Sequence, residues 1–367
     1  MPIEPLVPRS PQPRAKIAVT LGDPAGIGPE VVAKALDNPQ LRQGAEITVI
    51  GDAAQLGLMG ESLLAQINRQ EIALQASPVK GCEAAICPGS PTIATGHASF
   101  VWLQEAITGA MTGQFDAIVT GPIAKAVWHQ AGHDYPGQTE VLAAGAGVPQ
   151  FAMAFAARSP HTDWSLRALL ATTHIPLAAV PQTLCPDLMT QKLDLLIAGL
   201  AEDFGVDRPR IAIAGLNPHS GEAGKLGMEE QDWLIPWLEG QRSRHPGLTL
   251  DGPVPPDTLW VGAGQAWYRD RRASPYDAYL ALYHDQGLIP VKLMAFDRAV
   301  NFTLGLPFVR TSPDHGTAFD IAGRGIAQAD SMAAAIQLAI ELVHHRRQFR
   351  IPGDNCNADL IRNAVTQ

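Results

Sequence analysis

The sequence predicts an α/β protein with a largely parallel sheet, and two observations lead to this prediction. Short apolar runs alternate along the chain with longer segments whose apolar residues recur at helical spacing. Strands that alternate with helices favour a parallel sheet, because each helix carries the chain back to the start of the next strand. The length of 367 residues corresponds to about two domains of ordinary size.

The first predicted strand is Lys16–Leu21, and the loop LGDPAGIGPE joins it to a helix over Glu30–Leu36. Glycines permit backbone angles that other residues avoid, and Pro29 suits the first turn of a helix, where no N–H is needed. The loop therefore holds backbone N–H groups at a helix N-terminus, an arrangement that suits an anion, although a purely structural turn explains it equally well. It matches neither the pattern GxGxxG nor the phosphate loop that ends in Gly-Lys-Ser/Thr.

The remaining elements continue the alternation. The other predicted strands are Glu46–Gly51, Phe115–Thr120, Phe151–Phe155, Leu166–Leu170, Arg210–Gly215 and Tyr279–Tyr283. The other predicted helices are Ala98–Met111, Asp187–Phe204, Met228–Gln241 and Asp330–His345. Turn residues cluster around His133–Gly137, and the last helices need a sheet to cover. We therefore predict a disordered tail over residues 1–15, a first domain of residues 16–135 and 306–367, and a second domain of residues 136–305.

Composition narrows the possible partners and compartment. The net charge of −9 comes from 27 basic and 36 acidic residues, so we expect neither a nucleic-acid nor a membrane partner. No apolar stretch reaches the ~18 residues of a membrane-spanning helix. The N-terminal MPIEPLVPRSPQPR contains five prolines and no apolar core of a signal peptide. The four cysteines form no CxxC pair, which is typical of reduced thiols in a cytoplasmic protein.

Three histidines stand in turn-rich settings just after strand-like runs, where α/β proteins place their sites. They are His174 in ATTHIPL, His219 in LNPHSGEAG and His284 in YHDQGLIP. Neutral imidazoles suit Zn²⁺, and three protein ligands leave a coordination position open for a substrate. A lone histidine is more often structural, and the long separations do not by themselves establish a metal site.

A second set of polar residues follows His284 in the sequence and consists of Lys292, Asn301 and Arg310. Cationic and amide side chains of this kind suit a phosphate or a carboxylate. The segments VKLMAF and VNFTLGLPFVR interleave them with apolar residues, which indicates partly buried positions rather than scattered surface charges. Asp314 and His315 lie in the next loop, which we interpret as a cofactor contact. Because a buried cation needs an anion, this region predicts an anionic ligand.

Eight motifs, in order along nearly the whole chain after Lys16, resemble the 4-hydroxythreonine-4-phosphate dehydrogenase family of vitamin B6 biosynthesis. They are LGDPAGIGPE, VTGPIAKA, GQTE, TTHIPL, GLNPHSGEAG, DTLW, YHDQGLIPVK and VNFTLGLPFVRTSPDHGTAFDIAGRG. The resemblance implies an isocitrate/isopropylmalate dehydrogenase-like fold with two α/β domains and a cleft between them. It also implies a homodimer, an NAD site, and a divalent metal that is zinc, magnesium or cobalt.

Carried over residue by residue, the resemblance implies metal ligands at His174, His219 and His284, with His284 reaching the site from the partner subunit. The implied contacts to a phosphorylated substrate are Thr139, Lys292, Asn301 and Arg310. One position departs from the family pattern, since Gln138 stands where the family usually has histidine. A glutamine amide donates a hydrogen bond but does not become cationic, which leaves the choice of substrate open.

The implied reaction is the NAD-dependent oxidation of 4-phosphooxy-L-threonine to a β-keto acid, which decarboxylates to 3-amino-2-oxopropyl phosphate. Asp257 is our candidate for assisting proton transfer. Three alternatives remain open. A related dehydrogenase would act on a phosphorylated sugar acid or a cis-dihydrodiol dicarboxylate, a phosphate acyltransferase would share the architecture, and a ligand-binding protein would lack turnover.

Overall fold

A computed structural model describes residues 13–52, 61–79 and 86–349. The predicted tail over residues 1–15 therefore lies mostly outside the described residues. Within the described part, eleven strands form one sheet in the order β3-β2-β1-β4-β11-β10-β5-β6-β9-β7-β8. The strands are β1 (Ala15–Thr20), β2 (Ala45–Gly51), β3 (Ala73–Ala76), β4 (Ala117–Thr120), β5 (Ala152–Arg158), β6 (Ser165–Leu170), β7 (Arg210–Ala214), β8 (Thr249–Val254), β9 (Ala278–Ala281), β10 (Val300–Leu304) and β11 (Val309–Pro313).

Helices cover both faces of this sheet. They are α1 (Gly28–Leu36), α2 (Pro39–Gly44), α3 (Glu61–Asn68), α4 (Ile93–Met111), α5 (Lys125–Gln130), α6 (Gln138–Ala146), α7 (Val180–Thr183), α8 (Pro186–Phe204), α9 (Ile235–Arg244), α10 (Val261–Tyr268), α11 (His284–Ala295) and α12 (Asp330–Phe349). None of the described helices is long and apolar enough to cross a membrane.

The sheet consists of two parallel sets of strands. One set contains β3, β2, β1, β4 and β11, and the other contains β6, β9, β7 and β8. The two sets are connected by antiparallel pairings: β10 pairs with β11 and with β5, and β5 pairs with β6. The predicted α/β class with a largely parallel sheet is thus confirmed.

Four strands were absent from the sequence prediction, and their composition explains why. β8 contains Gly252 and Pro253, residues that normally argue against a strand interior. β3 has only four residues. β10 and β11 carry polar residues such as Asn301 and Arg310, which were interpreted as ligand contacts without assigning their backbone to strands.

Buried apolar residues form two clusters, one around β1–β4 and one around β5–β9, and β10 contributes to both. A buried ion pair between Arg346 of α12 and Asp203 of α8 joins helices that belong to different clusters. Val141 and Leu142 of α6 pack in the first cluster, although the predicted boundary placed α6 in the second domain. The division into two domains remains a prediction.

The glycines of LGDPAGIGPE are required by close backbone contacts. A Cβ on Gly22 would lie 2.3 Å from the carbonyl oxygen of Pro122, and one on Gly28 would lie 2.0 Å from that of Leu21. Asp23 is fully buried, its Oδ1 accepts a hydrogen bond from the backbone N–H of Ala25 at 3.0 Å, and burial raises its pKa. The loop therefore brings the first strand and helix against the segment that follows β4.

The N-terminus of α4 gives a stability prediction. Thr92 and Thr95 form a capping box, in which each hydroxyl accepts a hydrogen bond from the backbone N–H of the other residue, at 3.2 and 3.0 Å. We expect Thr92→Ala to lower the free energy of unfolding by about 1 kcal/mol, since an unpaired N–H remains at the helix start. Urea denaturation measures this loss. Thr112→Ala at the other end of α4 is the control, with an expected change within ~0.5 kcal/mol, and equal losses would contradict the capping role.

Candidate active site

The three predicted histidines follow three neighbouring strands. β6, β9 and β7 lie side by side and run parallel, so their carboxyl ends meet at one edge of the sheet. His174 follows β6, His284 follows β9 and His219 follows β7. The ring centroids of His174 and His284 are 5.5 Å apart within the same chain. This spacing allows both imidazoles to bind one ion between them.

The surroundings of these two rings favour metal binding. Burial lowers the pKa of His174, and the nearby charges of Lys125 and His284 lower that pKa further, so its ring is neutral at pH 7. The Nδ1 atom of His284 lies 2.7 Å from Oδ1 of Asp285. When Nδ1 of a histidine donates a hydrogen bond to a carboxylate, the tautomer of the ring is fixed. The lone pair of Nε2 is then available to bind a metal. The donor set of this chain therefore fits a divalent metal.

His219 lies in an unusual segment of backbone. Five consecutive residues, His219 to Ala223, have left-handed φ values between 45° and 79°, and four of them are not glycine. Such a conformation costs roughly 1–2 kcal/mol for each non-glycine residue. Strain of this kind persists only where the surrounding structure holds it, and it is concentrated at functional sites.

A buried carboxylate holds the beginning of this left-handed turn. Oε1 of Glu230 accepts hydrogen bonds from the backbone N–H groups of Leu216 and Asn217, at 2.8 and 2.7 Å. Its Oε2 accepts a third from the side-chain amide of Asn217 at 2.9 Å. Farther along, the hydroxyl of Ser220 donates to the carbonyl of Pro253 at 2.9 Å. These contacts compensate the strain and fix the backbone that carries His219.

The chain on its own does not assemble all three histidines. Among residues 13–52, 61–79 and 86–349, no three His, Cys, Asp or Glu side chains lie close enough to hold a metal ion. The expectation that His284 reaches the metal from the partner subunit stays a prediction, although His284 lies beside His174 within one chain. The two rings lie together because β6 and β9 are adjacent, which the order of residues along the chain does not reveal.

A cavity beside His174 contains a buried cation, Arg310. Its Nη1 donates to Asn301 Oδ1 at 3.1 Å and Thr303 Oγ1 at 3.3 Å, and its Nη2 donates to Thr120 Oγ1 at 2.9 Å. Its Nε has no partner, and Arg310 forms no ion pair with a described residue. Burial lowers its pKa to about 10, and the charge of Glu140 only partly offsets this. The guanidinium therefore lacks a neutralising anion.

The N-terminus of α6 faces the same cavity. Its N-cap residue, Gly137, has no side chain to cap the helix, so the first backbone N–H groups remain available to a ligand. The side-chain Nε2 of Gln138 donates to the carbonyl of Gly121 at 3.0 Å, and its Oε1 is buried without a partner. Thr139 is buried beside it. A helix N-terminus next to an unpaired arginine is suited to binding a phosphate.

The predicted substrate and cofactor positions adjoin each other. Lys292 does not line the cavity, and its Nζ instead pairs with Oδ2 of Asp314 at 2.9 Å. His315, the next residue, lines the cavity, and its Nε2 is buried without a partner. A bound cofactor could form a hydrogen bond with this ring nitrogen, which lies in the loop predicted to contact the cofactor.

Comparison with known proteins identifies the family. The sequence model of the family described as pyridoxal phosphate biosynthetic protein PdxA matches residues 37–339. The chain belongs to the PdxA family. A curated relative named 4-hydroxythreonine-4-phosphate dehydrogenase, from Synechocystis sp., is 60% identical over 342 residues and is aligned over 90% of this chain and 96% of its own length. The family resemblance inferred from the motifs is thus confirmed, and the chain is related to oxidoreductases of pyridoxal phosphate biosynthesis.

Solved structures of PdxA-type enzymes have the same fold. The 4-hydroxythreonine-4-phosphate dehydrogenase of Klebsiella pneumoniae is 36% identical, with a TM-score of 0.74 over 90% of this chain and 99% of that one. The terephthalate 1,2-cis-dihydrodiol dehydrogenase of Burkholderia xenovorans is 27% identical, with a TM-score of 0.60 over 89% of this chain and 98% of that one. The predicted fold is confirmed by the first of these superpositions.

For this PdxA family member, the structure brings together six of the predicted site residues along one cavity. They are Gln138, Thr139, His174, Asn301, Arg310 and His315. Asp257 does not line the cavity and lies exposed after β8 at the edge of the sheet. Its role in proton transfer remains a prediction.

Several cavity residues were not singled out from the sequence. Lys125 and Glu140 line the cavity, and both lie in motifs that carry the family resemblance, VTGPIAKA and GQTE. Thr120 contacts Arg310 from the end of β4, and it lies in the motif VTGPIAKA. Asp285 was equally detectable, because a carboxylate next to a candidate metal-binding histidine is a frequent second partner of the ring.

Proposed function

We propose that this chain is an NAD-dependent and metal-dependent dehydrogenase of 4-phosphooxy-L-threonine. The observation that carries the proposal is the buried guanidinium of Arg310, which has an unpartnered Nε and no ion pair among the described residues. A buried charge of this kind is costly unless a ligand of opposite charge binds to it. A phosphorylated substrate supplies that charge, and the names of the relatives agree with such a substrate.

The phosphate group would be held by Arg310, by Asn301 and by the backbone N–H groups at the start of α6 near Thr139. Lys292 lies at the neighbouring loop, paired with Asp314, and would contribute charge from there. Contacts to the phosphate are remote from the reacting carbinol, so their binding energy fixes the orientation of the substrate. His174 lines the same cavity, so the reacting end of the substrate would lie beside the proposed metal ligands.

We propose His174, His219 and His284 as ligands of a zinc, magnesium or cobalt ion, and the loop of Asp314 and His315 as a contact of NAD. When bound, the metal lowers the pKa of the substrate alcohol and the nicotinamide accepts a hydride. Asp285 would hold the His284 ring in place, and Lys125 and burial keep the pKa of His174 low. The product is a β-keto acid that loses CO₂ to give 3-amino-2-oxopropyl phosphate.

We further propose that the active unit is a homodimer in which His219 comes from the partner chain. Ile289, Leu293 and Phe296 lie on one side of α11 and its C-terminal end, and their exposed fractions are 58%, 76% and 75%. An exposed apolar patch of this kind marks an interaction surface. Since α11 begins at His284, a partner chain on this patch would lie next to the metal-binding rings.

The experiment that tests the proposal is a substrate panel with NAD and added metal, followed by NADH absorbance. The panel contains 4-phosphooxy-L-threonine, a phosphorylated sugar acid and a cis-dihydrodiol dicarboxylate. The last is included because of the likeness to the terephthalate cis-dihydrodiol dehydrogenase and the glutamine at position 138. We expect turnover of 4-phosphooxy-L-threonine only, and exclusive turnover of another compound would replace the proposed substrate.

Gln138→His is expected to retain activity on 4-phosphooxy-L-threonine, with a KM within about tenfold of the unmodified protein. One N–H of Nε2 donates to the carbonyl of Gly121, and the second is free to donate to the phosphate, as a histidine ring would. Steady-state kinetics measure the change. If the unmodified chain is inactive on this compound and Gln138→His gains activity, then the natural substrate is a different one.

A further inference from the structure

A second cavity, which we call the rear cavity, lies on the opposite face of the sheet from the catalytic cavity. Its volume is about 170 Å³, and strands β5, β6 and β10 and helices α8 and α12 surround it. The register places Val300, Ala156 and Arg167 in one row across these strands. Neighbouring residues of a strand point to opposite faces. Asn301, which lines the catalytic cavity, therefore points away from the rear cavity.

Three arginines line the rear cavity, and two of them already have acidic partners. Arg158 lies 3.4 Å from Asp163 and 3.6 Å from Glu341. Arg298 lies 2.6 Å from Asp297. Glu341 is a carboxylate in the lining itself, and its charge offsets that of Arg158. These two arginines alone therefore give the cavity no unbalanced charge.

The third arginine, Arg167, differs from the other two. Its Nη1 donates to the backbone carbonyl of Asp277 at 3.1 Å, and its guanidinium carbon lies 4.6 Å from the centroid of the Phe204 ring. Its Nε is buried without a partner, and it forms no ion pair with any residue that the structure describes. Burial lowers the pKa of Arg167 more than the charge of Asp277 raises it. Arg167 thus has one buried N–H without an acceptor among the described residues, although the charges of Asp277 and Glu341 lie near it.

We propose that the rear cavity binds a small anion that carries a phosphate group, with the guanidinium of Arg167 as its anchor. The planar fork of a guanidinium matches two phosphate oxygens, and removing a buried cation from water is compensated by an anion in contact with it. Arg158 and Arg298 also border the cavity, but each is already paired with an acidic side chain. Val300 and Phe204 provide an apolar wall for the remainder of an ester.

The rear cavity is independent of the proposed reaction, because strand β10 separates it from the catalytic cavity. A ligand in it would not compete with the substrate for Arg310. It would nevertheless contact Val300, the residue before Asn301. Phosphate binding in the rear cavity can therefore be tested independently of the proposed substrate.

The test is isothermal titration calorimetry of the Arg310→Met variant, whose catalytic cavity has lost its anion anchor. Inorganic phosphate, glycerol phosphate and succinate are titrated separately. We expect one phosphate or phosphate ester per chain to bind. Adding Arg167→Met should weaken this binding at least tenfold, as loss of a charge-assisted contact implies. The matched control is Arg158→Met in the same background, which should change the affinity less than threefold, because this side chain is 58% exposed and ion-paired.

Two results would overturn the proposal: no phosphate binding by Arg310→Met, or binding that Arg167→Met leaves within twofold. If succinate binds more tightly than inorganic phosphate and glycerol phosphate, then the ligand is not a compound with a phosphate group. A preference for glycerol phosphate over inorganic phosphate would assign the site to an ester, and the reverse would assign it to the free ion. If Arg167→Met does not fold, Arg167→Lys is used instead, because it keeps the positive charge but lacks the planar guanidinium. This variant should also weaken phosphate binding at least tenfold.

Discussion

Mixed dimers of His174→Ala and His219→Ala subunits are expected to be active, although neither variant is active alone. His174 and His284 lie together in one chain, and residues 13–52, 61–79 and 86–349 provide no third ligand beside them. If the partner supplies His219, one of the two sites in the mixed dimer lacks both mutated ligands and the other is complete. After dissociation and reassembly of an equal mixture, about half of the dimers are hybrids, so roughly a quarter of the unmodified activity should return, measured as NADH formation.

The matched control is a mixture of His174→Ala and His284→Ala. If both ligands come from the same chain, in which their rings are 5.5 Å apart, each site in the mixed dimer lacks one of them and the mixture should stay inactive. Metal content measured on the same samples should follow activity, with one ion per active mixed dimer. Recovery in the control mixture, or none in the first with hybrids verified by mass spectrometry, would refute a shared site completed by His219.

Replacing Arg310 by methionine is expected to raise the KM for the phosphorylated substrate about tenfold to a hundredfold, the effect of one lost charge-assisted contact. The same change should leave the free energy of unfolding of the ligand-free protein unchanged or higher. The reason is that the guanidinium is buried without an ion pair to a described residue and with an unpartnered Nε. Apolar replacement removes the cost of burying that charge.

The control for Arg310→Met is Thr303→Val, which removes a hydroxyl that accepts from Arg310 at 3.3 Å but does not line the cavity. Its KM should change less than threefold. An Arg310→Met protein with an unchanged KM would show that Arg310 does not bind the substrate. A large loss of unfolding free energy in the ligand-free protein would show instead that the guanidinium has a structural role.

Local patterns were sufficient for much of the fold and site. Alternating strands and helices predicted the α/β class, and motif content placed Arg310, Asn301 and Thr139 at an anion site that the structure assembles in one cavity. The sequence patterns missed elements in which tertiary contacts override the local backbone preference. β8 forms despite Pro253, since it pairs with β7 at the edge of the sheet. Lys292 pairs with Asp314 and does not line the cavity, so its contact with a substrate remains a prediction.

The sequence by itself predicted which residues would carry the chemistry, because histidines after strand-like runs, glycine-rich turns and an arginine between apolar residues are features of short segments. Only the tertiary structure decided which of these residues meet. The adjacency of β6 and β9 brings His174 and His284 together in one chain, and strand order depends on contacts between residues more than a hundred positions apart. The cavity around Arg167 likewise forms only when residues of β6, α8 and α12 come together, since burial and pairing are properties of the folded chain.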